Sequence, residues 1–214
     1  MLVDDKVIIV GAGVAGLALG VALARAGVRS EIYEREAELS AAGAGLLLQT
    51  GAICALAQIG LAERVIEASE EVHFGVADTA DGRLLNRTDL RFLRAEFGQP
   101  MVTLHRARLQ RILCDALQGT PIIASKRCLG YDEDEGGVSA RFEDGGAARG
   151  TLLIGADGLK SRVRAQLLGE APLRYAGYSS YRGLAPLLDG VNRHELVETW
   201  GRGLRFGVVP LGPD

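Results

Sequence analysis

The sequence predicts an α/β fold with a parallel sheet in its first unit, and two stretches carry that prediction. Residues 6–35, KVIIVGAGVAGLALGVALARAGVRSEIYER, run in order as strand, glycine turn, helix and strand. Residues 152–164, LLIGADGLKSRVR, repeat the order strand, glycine-bearing turn and helix. Strands alternating with helices in this way build parallel sheets.

Within the first stretch each element has a local cause. Val7, Ile8, Ile9 and Val10 form a continuous β-branched run, the pattern of a strand buried on both faces. Gly11, Ala12, Gly13, Val14, Ala15 and Gly16 match G-x-G-x-x-G where that strand must turn into a helix. Gly11 permits the tight turn, Gly13 lets a pyrophosphate approach the backbone, and Gly16 lets the helix pack close to the strand. The N–H groups of Val14 and its neighbour Ala15 open the helix without intrahelical partners and point at the phosphates. Gly27 ends the helix, and Ser30 to Glu34 form a second strand. Glu34 lies 18 residues beyond Gly16, where a carboxylate accepts hydrogen bonds from both ribose hydroxyls. The whole is a Rossmann-type dinucleotide site. Val7 to Ala24 carries no charge over 18 residues, the length of a membrane span. Four glycines interrupt it, Asp4 and Asp5 precede it, and neither a basic n-region nor a small-residue cleavage site is present. The segment therefore belongs to a soluble core.

A chain of 214 residues holds one sizeable core, or one domain plus part of another. The net charge of −3, with arginines dispersed rather than blocked, gives no support to nucleic-acid binding. Three widely spaced cysteines, Cys54, Cys114 and Cys128, suit reduced thiols in a cytoplasmic protein, and fit neither a disulfide framework nor a zinc knuckle. Cys54 and Cys114 fall in apolar helical patterns and are expected as buried, inert thiols. No membrane partner and no metal site is expected, and the patterning does not fix an oligomeric state.

Residues 35–45 form a polar, alanine-rich loop; Ala42, Gly43, Ala44 and Gly45 then lead into Leu46–Gln49. Small residues there allow close approach of a flat ring, or simply a flexible turn. A helix follows from about Ala52 to Gly60, then a shorter one near 61–69. Val72–Ala77 and Arg83–Leu85 pair across an Asp81-Gly82 turn, a break in the β-α alternation that belongs to a second, antiparallel layer. Leu104, His105 and Arg106 precede a helix carrying Leu109, Ile112, Leu113 and Leu117 at the helical period. A cation at a helix start opposes the dipole, which favours a ligand-facing role for Arg106; His105 is expected to be structural. A meander of strands 126–131, 137–143 and 147–154 follows, with the acidic run Asp132–Glu135 as a solvated loop. Leu152–Ile154 is a buried strand, Gly155–Gly158 a turn and Leu159–Leu168 a helix. Asp157 stands at the strand's C-terminal end, placed for ligand contact or as an N-cap. Further strands are expected at 174–186, 194–200 and 204–210. On the first, Tyr178, Ser180 and Arg182 share one face, with Tyr175 and Tyr181 on the other.

Four pieces in order, GAGVAG with Glu34-Arg35, GAGLLLQTGA, the Arg106 of LHRARL and GADGLKSRVR, resemble the FAD-dependent monooxygenases of the aromatic-hydroxylase type, the salicylate- and para-hydroxybenzoate-hydroxylase-like flavoproteins. YRGLAP around Arg182 is a fifth, weaker piece. The resemblance implies a GR2-like FAD-binding domain, residues 1–70 and 98–170, interleaved with an incomplete antiparallel β-sheet substrate domain, residues 71–97 and 171–214. It implies that Gly11, Gly13, Val14, Ala15 and Gly16 hold the FAD pyrophosphate and that Glu34, with Arg35, holds the adenosine ribose. Gly45 then lies by the flavin, Arg106 meets its ribityl-phosphate side, and Asp157 is tied to FAD and reduced nicotinamide. Arg182, with Tyr181, is the candidate for the substrate side, where an arginine orients an anionic aromatic ring.

The implied reaction uses NADH or NADPH to reduce the flavin. A flavin hydroperoxide formed with O2 then hydroxylates, or epoxidises, a small aromatic substrate. No protein nucleophile is expected. The chain departs from the family in two places. Thr50-Gly51 stands where a Pro-Asn pair is usual, and the second flavin motif, a Gly-Asp before a helix, falls beyond position 214. The chain is therefore expected to be the N-terminal portion of such an enzyme. The competing expectations are a flavoprotein reductase or dehydrogenase of the same fold, and a non-catalytic nucleotide-binding fragment.

Overall fold

The computed structural model describes residues 5–39 and 44–212. In chain order its elements begin with β1 (Val7–Val10), α1 (Val14–Arg25), β2 (Ser30–Tyr33), β3 (Gly45–Leu48), α2 (Thr50–Gln58), α3 (Ala62–Glu67) and β4 (Glu70–Glu71). Next come β5 (Phe74–Thr79), β6 (Leu84–Asp89), α4 (Phe92–Phe97), β7 (Val102–His105) and α5 (Arg106–Asp115). Then follow β8 (Ile122–Ile123), β9 (Cys128–Asp134), β10 (Gly137–Phe142), β11 (Ala147–Gly150) and β12 (Leu152–Gly155). The last are α6 (Arg162–Leu168), β13 (Glu195–Trp200) and β14 (Arg205–Val208). Two compact units result, Met1–Ala41 with Leu113–Ser180, and Ala42–Ile112 with Tyr181–Asp214.

The first unit is built on the parallel sheet β12-β1-β2-β8. Its register pairs Val10 with both Tyr33 and Gly155, so the turns after β1, β2 and β12 leave the same edge of the sheet together. Alternation then sorts the side chains. Ile9 and Ile32 face α1, which two glycines draw close. A Cβ on Gly16 would stand 3.3 Å from Ile9 Cγ2, and one on Gly20 would stand 2.9 Å from both Ile32 Cδ1 and Leu117 Cδ2. Ile8, Val10 and Tyr33 face the other way, into a core shared with Tyr131, Val138, Ala140, Phe142 and Ala148 of the antiparallel sheet β11-β10-β9. Tyr33 stacks on Phe142 with ring centroids 4.8 Å apart.

The second unit holds two sheets, β3-β7-β4 and β14-β13-β5-β6. Val102 and Leu104 of β7 are fully buried, as are Ile53 of α2 and Val65 of α3. Thr103, also fully buried, donates its hydroxyl to the carbonyl of Pro210 at 2.5 Å.

Several elements differ from expectation. The 147–154 segment is two strands, because the chain leaves the meander at Gly150 and the Thr151 N–H donates to the carbonyl of Lys6, just ahead of β1 of the parallel sheet. β12 is an edge strand, and Leu152 is 52% exposed rather than buried. The acidic run is mostly strand: Asp132, Glu133 and Asp134 lie in β9 and only Glu135 in the turn, with Arg141 of the adjacent β10 pairing with Asp132 and Arg149 of β11 reaching past β10 to Asp134. The last helix starts at Arg162, since Ser161 caps it by accepting from the Arg164 N–H at 2.9 Å. Residues 174–186 form no strand and are exposed throughout, so Tyr175, Tyr178, Ser180 and Arg182 share no sheet face. The second layer is mixed: β5–β6 and β13–β14 are antiparallel hairpins, but β13 joins β5 in parallel. Cys54 and Cys114 are only partly buried. Burial nonetheless pushes the Cys114 and Cys128 thiols up, away from thiolate chemistry.

Candidate cofactor site

The turn after β1 is shaped by close backbone packing. Gly11 has φ +108°, and its N–H donates to the Tyr33 carbonyl at 2.8 Å. A Cβ there would lie 2.4 Å from the Ala156 carbonyl oxygen, and one on Gly16 would lie 1.9 Å from the Gly11 oxygen. Both positions must be glycine. Gly13, the N-cap of α1, differs: its backbone is extended, it provides no side-chain cap, and a Cβ there would meet nothing within 4 Å. The space beside Gly13 is therefore open to a ligand. The first intrahelical bond runs from Leu17 to Gly13, which leaves the N–H groups of Val14 and Ala15 ahead of it at the positive end of α1.

Glu34 closes this turn from the end of β2. Its Oε2 accepts from the Ala12 N–H at 2.7 Å and its Oε1 from the Glu36 N–H at 3.0 Å. Arg35 turns to Glu36, with Nε 3.0 Å from Oε1. On the other side, Asp157 is a helix cap. Its Oδ2 accepts from the N–H groups of Arg162 and Val163, at 2.7 and 3.3 Å. Its Oδ1 is buried with no hydrogen-bond partner among the described residues, an acceptor available to a ligand's donor. Open space at Gly13, unused N–H groups, a carboxylate at the second strand and an unsatisfied buried oxygen together fit a dinucleotide.

The remaining expected site residues lie in the second unit. Ala44, Gly45, Leu46, Arg106, Arg182, Gly183 and Leu184 line a cleft of about 520 Å³. Arg106 opens α5, its N–H donating to the Ala44 carbonyl at 3.4 Å. Among the described residues the guanidinium groups of Arg106 and Arg182 make no ion pair or hydrogen bond. Two cations spaced far apart in sequence thus share one cleft. Gly45 contributes backbone, and the room its missing side chain leaves is filled by Leu211, whose Cδ2 would be 2.4 Å from a Cβ. Tyr181 is 99% exposed and does not line the cleft. His105 is structural, accepting from the Ala107 N–H through Nδ1 at 3.2 Å and so capping α5. Ala42 and Gly43 lie outside the described residues. Among the described residues no group of side chains could hold a metal ion, and no helix is long and apolar enough to cross a membrane.

Residues 4–181 match the family described as FAD binding domain. The chain belongs to that family. Its relatives include the aurachin C monooxygenase/isomerase of Stigmatella aurantiaca, 41% identical over 96% of this chain and 54% of that protein. The 3-amino-4-hydroxybenzoate 2-monooxygenase of Streptomyces cremeus is 37% identical over 99% of this chain and 58% of its own length. Among solved structures, Klebsiella pneumoniae HpxO complexed with FAD and uric acid superimposes with a TM-score of 0.83 at 29% identity, over 97% of this chain and 53% of that one. The chain spans about half the length of the relatives it matches. The FAD binding domain assignment agrees with the fold, a parallel sheet carrying α1 on one face and an antiparallel meander on the other.

Proposed function

We propose that the protein is an FAD- and NAD(P)H-dependent monooxygenase that hydroxylates or epoxidises a small aromatic substrate with O2. The observation that carries this reading is the FAD binding domain match over residues 4–181, shared with relatives named as monooxygenases at 41% and 37% identity. Bound FAD, once reduced, supplies the oxygen-activating chemistry that no protein side chain can. Gly11, Gly13, Val14, Ala15 and Gly16 hold the pyrophosphate, Glu34 and Arg35 the adenosine ribose end, and Asp157 contributes its spare oxygen. Gly45 and Arg106 lie on the flavin side, and Arg182 with Tyr181 on the substrate side. Residues 1–70 and 98–170 act as the cofactor domain, and 71–97 with 171–214 as the substrate domain. The sheet β14-β13-β5-β6 is drawn wholly from the latter two segments, which favours that division, whereas the compact units group Ala42–Ile112 with Tyr181–Asp214. Three free cysteines suit a reducing cytoplasm.

Turnover with NADH or NADPH under isotope-labelled O2 tests the reading. A product carrying one labelled oxygen per reduced nicotinamide consumed is expected. Nicotinamide oxidation with an unlabelled product would replace it with a flavoprotein reductase or dehydrogenase.

A further inference from the structure

The turn that receives the pyrophosphate and the carboxylate that receives the ribose are joined to each other. Glu34 Oε2 accepts from the Ala12 N–H at 2.7 Å, inside the glycine turn, and Gly11 N–H donates to Tyr33 one residue earlier, at 2.8 Å. Ala12 is buried and Glu34 half-buried, so the bond between them is partly shielded from solvent. Glu34 is held in turn by its own surroundings: its Oε1 accepts from Glu36 N–H at 3.0 Å, and its carbonyl accepts from Lys126 N–H at 2.7 Å. The carboxylate is therefore fixed from behind and grips the turn in front.

We infer that Glu34 is a positioning residue for the glycine turn: it preforms the phosphate cradle before any nucleotide binds, in addition to meeting the ribose. This rests on the assignment of the turn to the FAD pyrophosphate. Each carboxylate oxygen has two acceptor directions. One on Oε2 is taken by Ala12 and one on Oε1 by Glu36, which leaves one on each oxygen for the two hydroxyls of a vicinal diol. A single group thus sets the turn and reads the sugar, and neither task displaces the other. A preformed cradle binds phosphate without first ordering the loop, which is where its affinity is gained.

A ligand without ribose separates the two roles. Inorganic pyrophosphate and ADP are titrated into the wild-type protein and into Glu34→Ala and Glu34→Gln, and amide hydrogen exchange of residues 11–16 is followed without ligand. Preformation predicts that Glu34→Ala weakens both ligands, each by about tenfold or more, and speeds exchange at Ala12 in the free protein. Glu34→Gln, whose single amide oxygen can still accept from Ala12, recovers pyrophosphate binding more fully than ADP binding. If pyrophosphate binding and Ala12 exchange are unchanged while ADP binding falls, Glu34 reads only the ribose and the inference fails, although the FAD assignment survives. Should ADP bind all three proteins equally, the FAD assignment of this turn fails first. Wild-type protein that takes ADP but no pyrophosphate has no preformed cradle, and that also overturns the inference.

Discussion

The α-carbon of Gly11 is pressed against the Ala156 carbonyl: a Cβ on Gly11 would stand 2.4 Å from that oxygen and 2.7 Å from its carbon. The first and second glycine-bearing turns are thereby packed backbone to backbone at one edge of the sheet. With φ at +108°, Gly11→Ala adds strain to the clash and should cost more than about 2 kcal/mol in chemical denaturation. Gly13→Ala is the contrasting case. Its Cβ meets no atom of the described residues within 4 Å, so stability should stay within about 0.5 kcal/mol. ADP affinity should nonetheless fall by about tenfold or more, because that Cβ enters the space proposed for the phosphates. Equal effects of the two substitutions on stability would refute the distinction.

Arg106 provides a second test. A guanidinium with no partner among the described residues adds little to folding. Arg106→Ala should therefore leave the denaturation midpoint nearly unchanged while FAD affinity drops by about tenfold to a hundredfold, the worth of a charge-assisted hydrogen bond. A large stability loss with intact FAD binding would return Arg106 to a structural role.

The ion pair Asp134–Arg149, which reaches from β9 to β11 past the intervening β10, sets a pH dependence. Arg149, helped by the Gly136 N–H, holds the Asp134 carboxyl down to about 2 from its ordinary 3.8. A carboxyl lowered by folding stabilises above its unfolded value and loses that contribution as pH falls through its folded value. The stability gap between wild type and Asp134→Asn should thus be fully open near neutrality and close between about 4 and about 2. The pair is exposed, so the gap is small and shrinks further in salt. A gap independent of pH would place its origin elsewhere than in the carboxylate charge.

Residues 170–190 are exposed throughout, and 170–176 and 178–188 have no regular structure. Brief trypsin treatment should cut first after Arg174 or Arg182, as read by mass spectrometry of the fragments. Arginines held in helices or ladders, such as Arg149 and Arg162, should survive longer. Early cleavage within β9–β11 would contradict the packing described for the first unit.

The sequence by itself determined the β1–α1–β2 unit, the need for glycine at Gly11 and Gly16, and the acid at the end of the second strand. Each of these is local: a β-branched run, a turn that excludes side chains and a fixed spacing act over a few residues and leave a direct trace in composition. Only the tertiary structure decided the rest. Asp157 at the head of α6 could be ligand contact or cap, and the cap was settled by how the chain leaves β12. The strand expected at 174–186 is exposed, irregular chain, and an alternating pattern does not by itself supply the partner edge that a ladder requires. The β5–β6 hairpin is legible in its Asp81-Gly82 turn, but not that β13 meets β5 in parallel, since turn chemistry sets direction within a hairpin and not between separate segments. The shared cleft of Arg106 and Arg182, and the grip of Glu34 on Ala12, join residues 76 and 22 positions apart. Charge and hydrogen bonding act through space, so such pairings appear only once the sheet register has brought their carriers together.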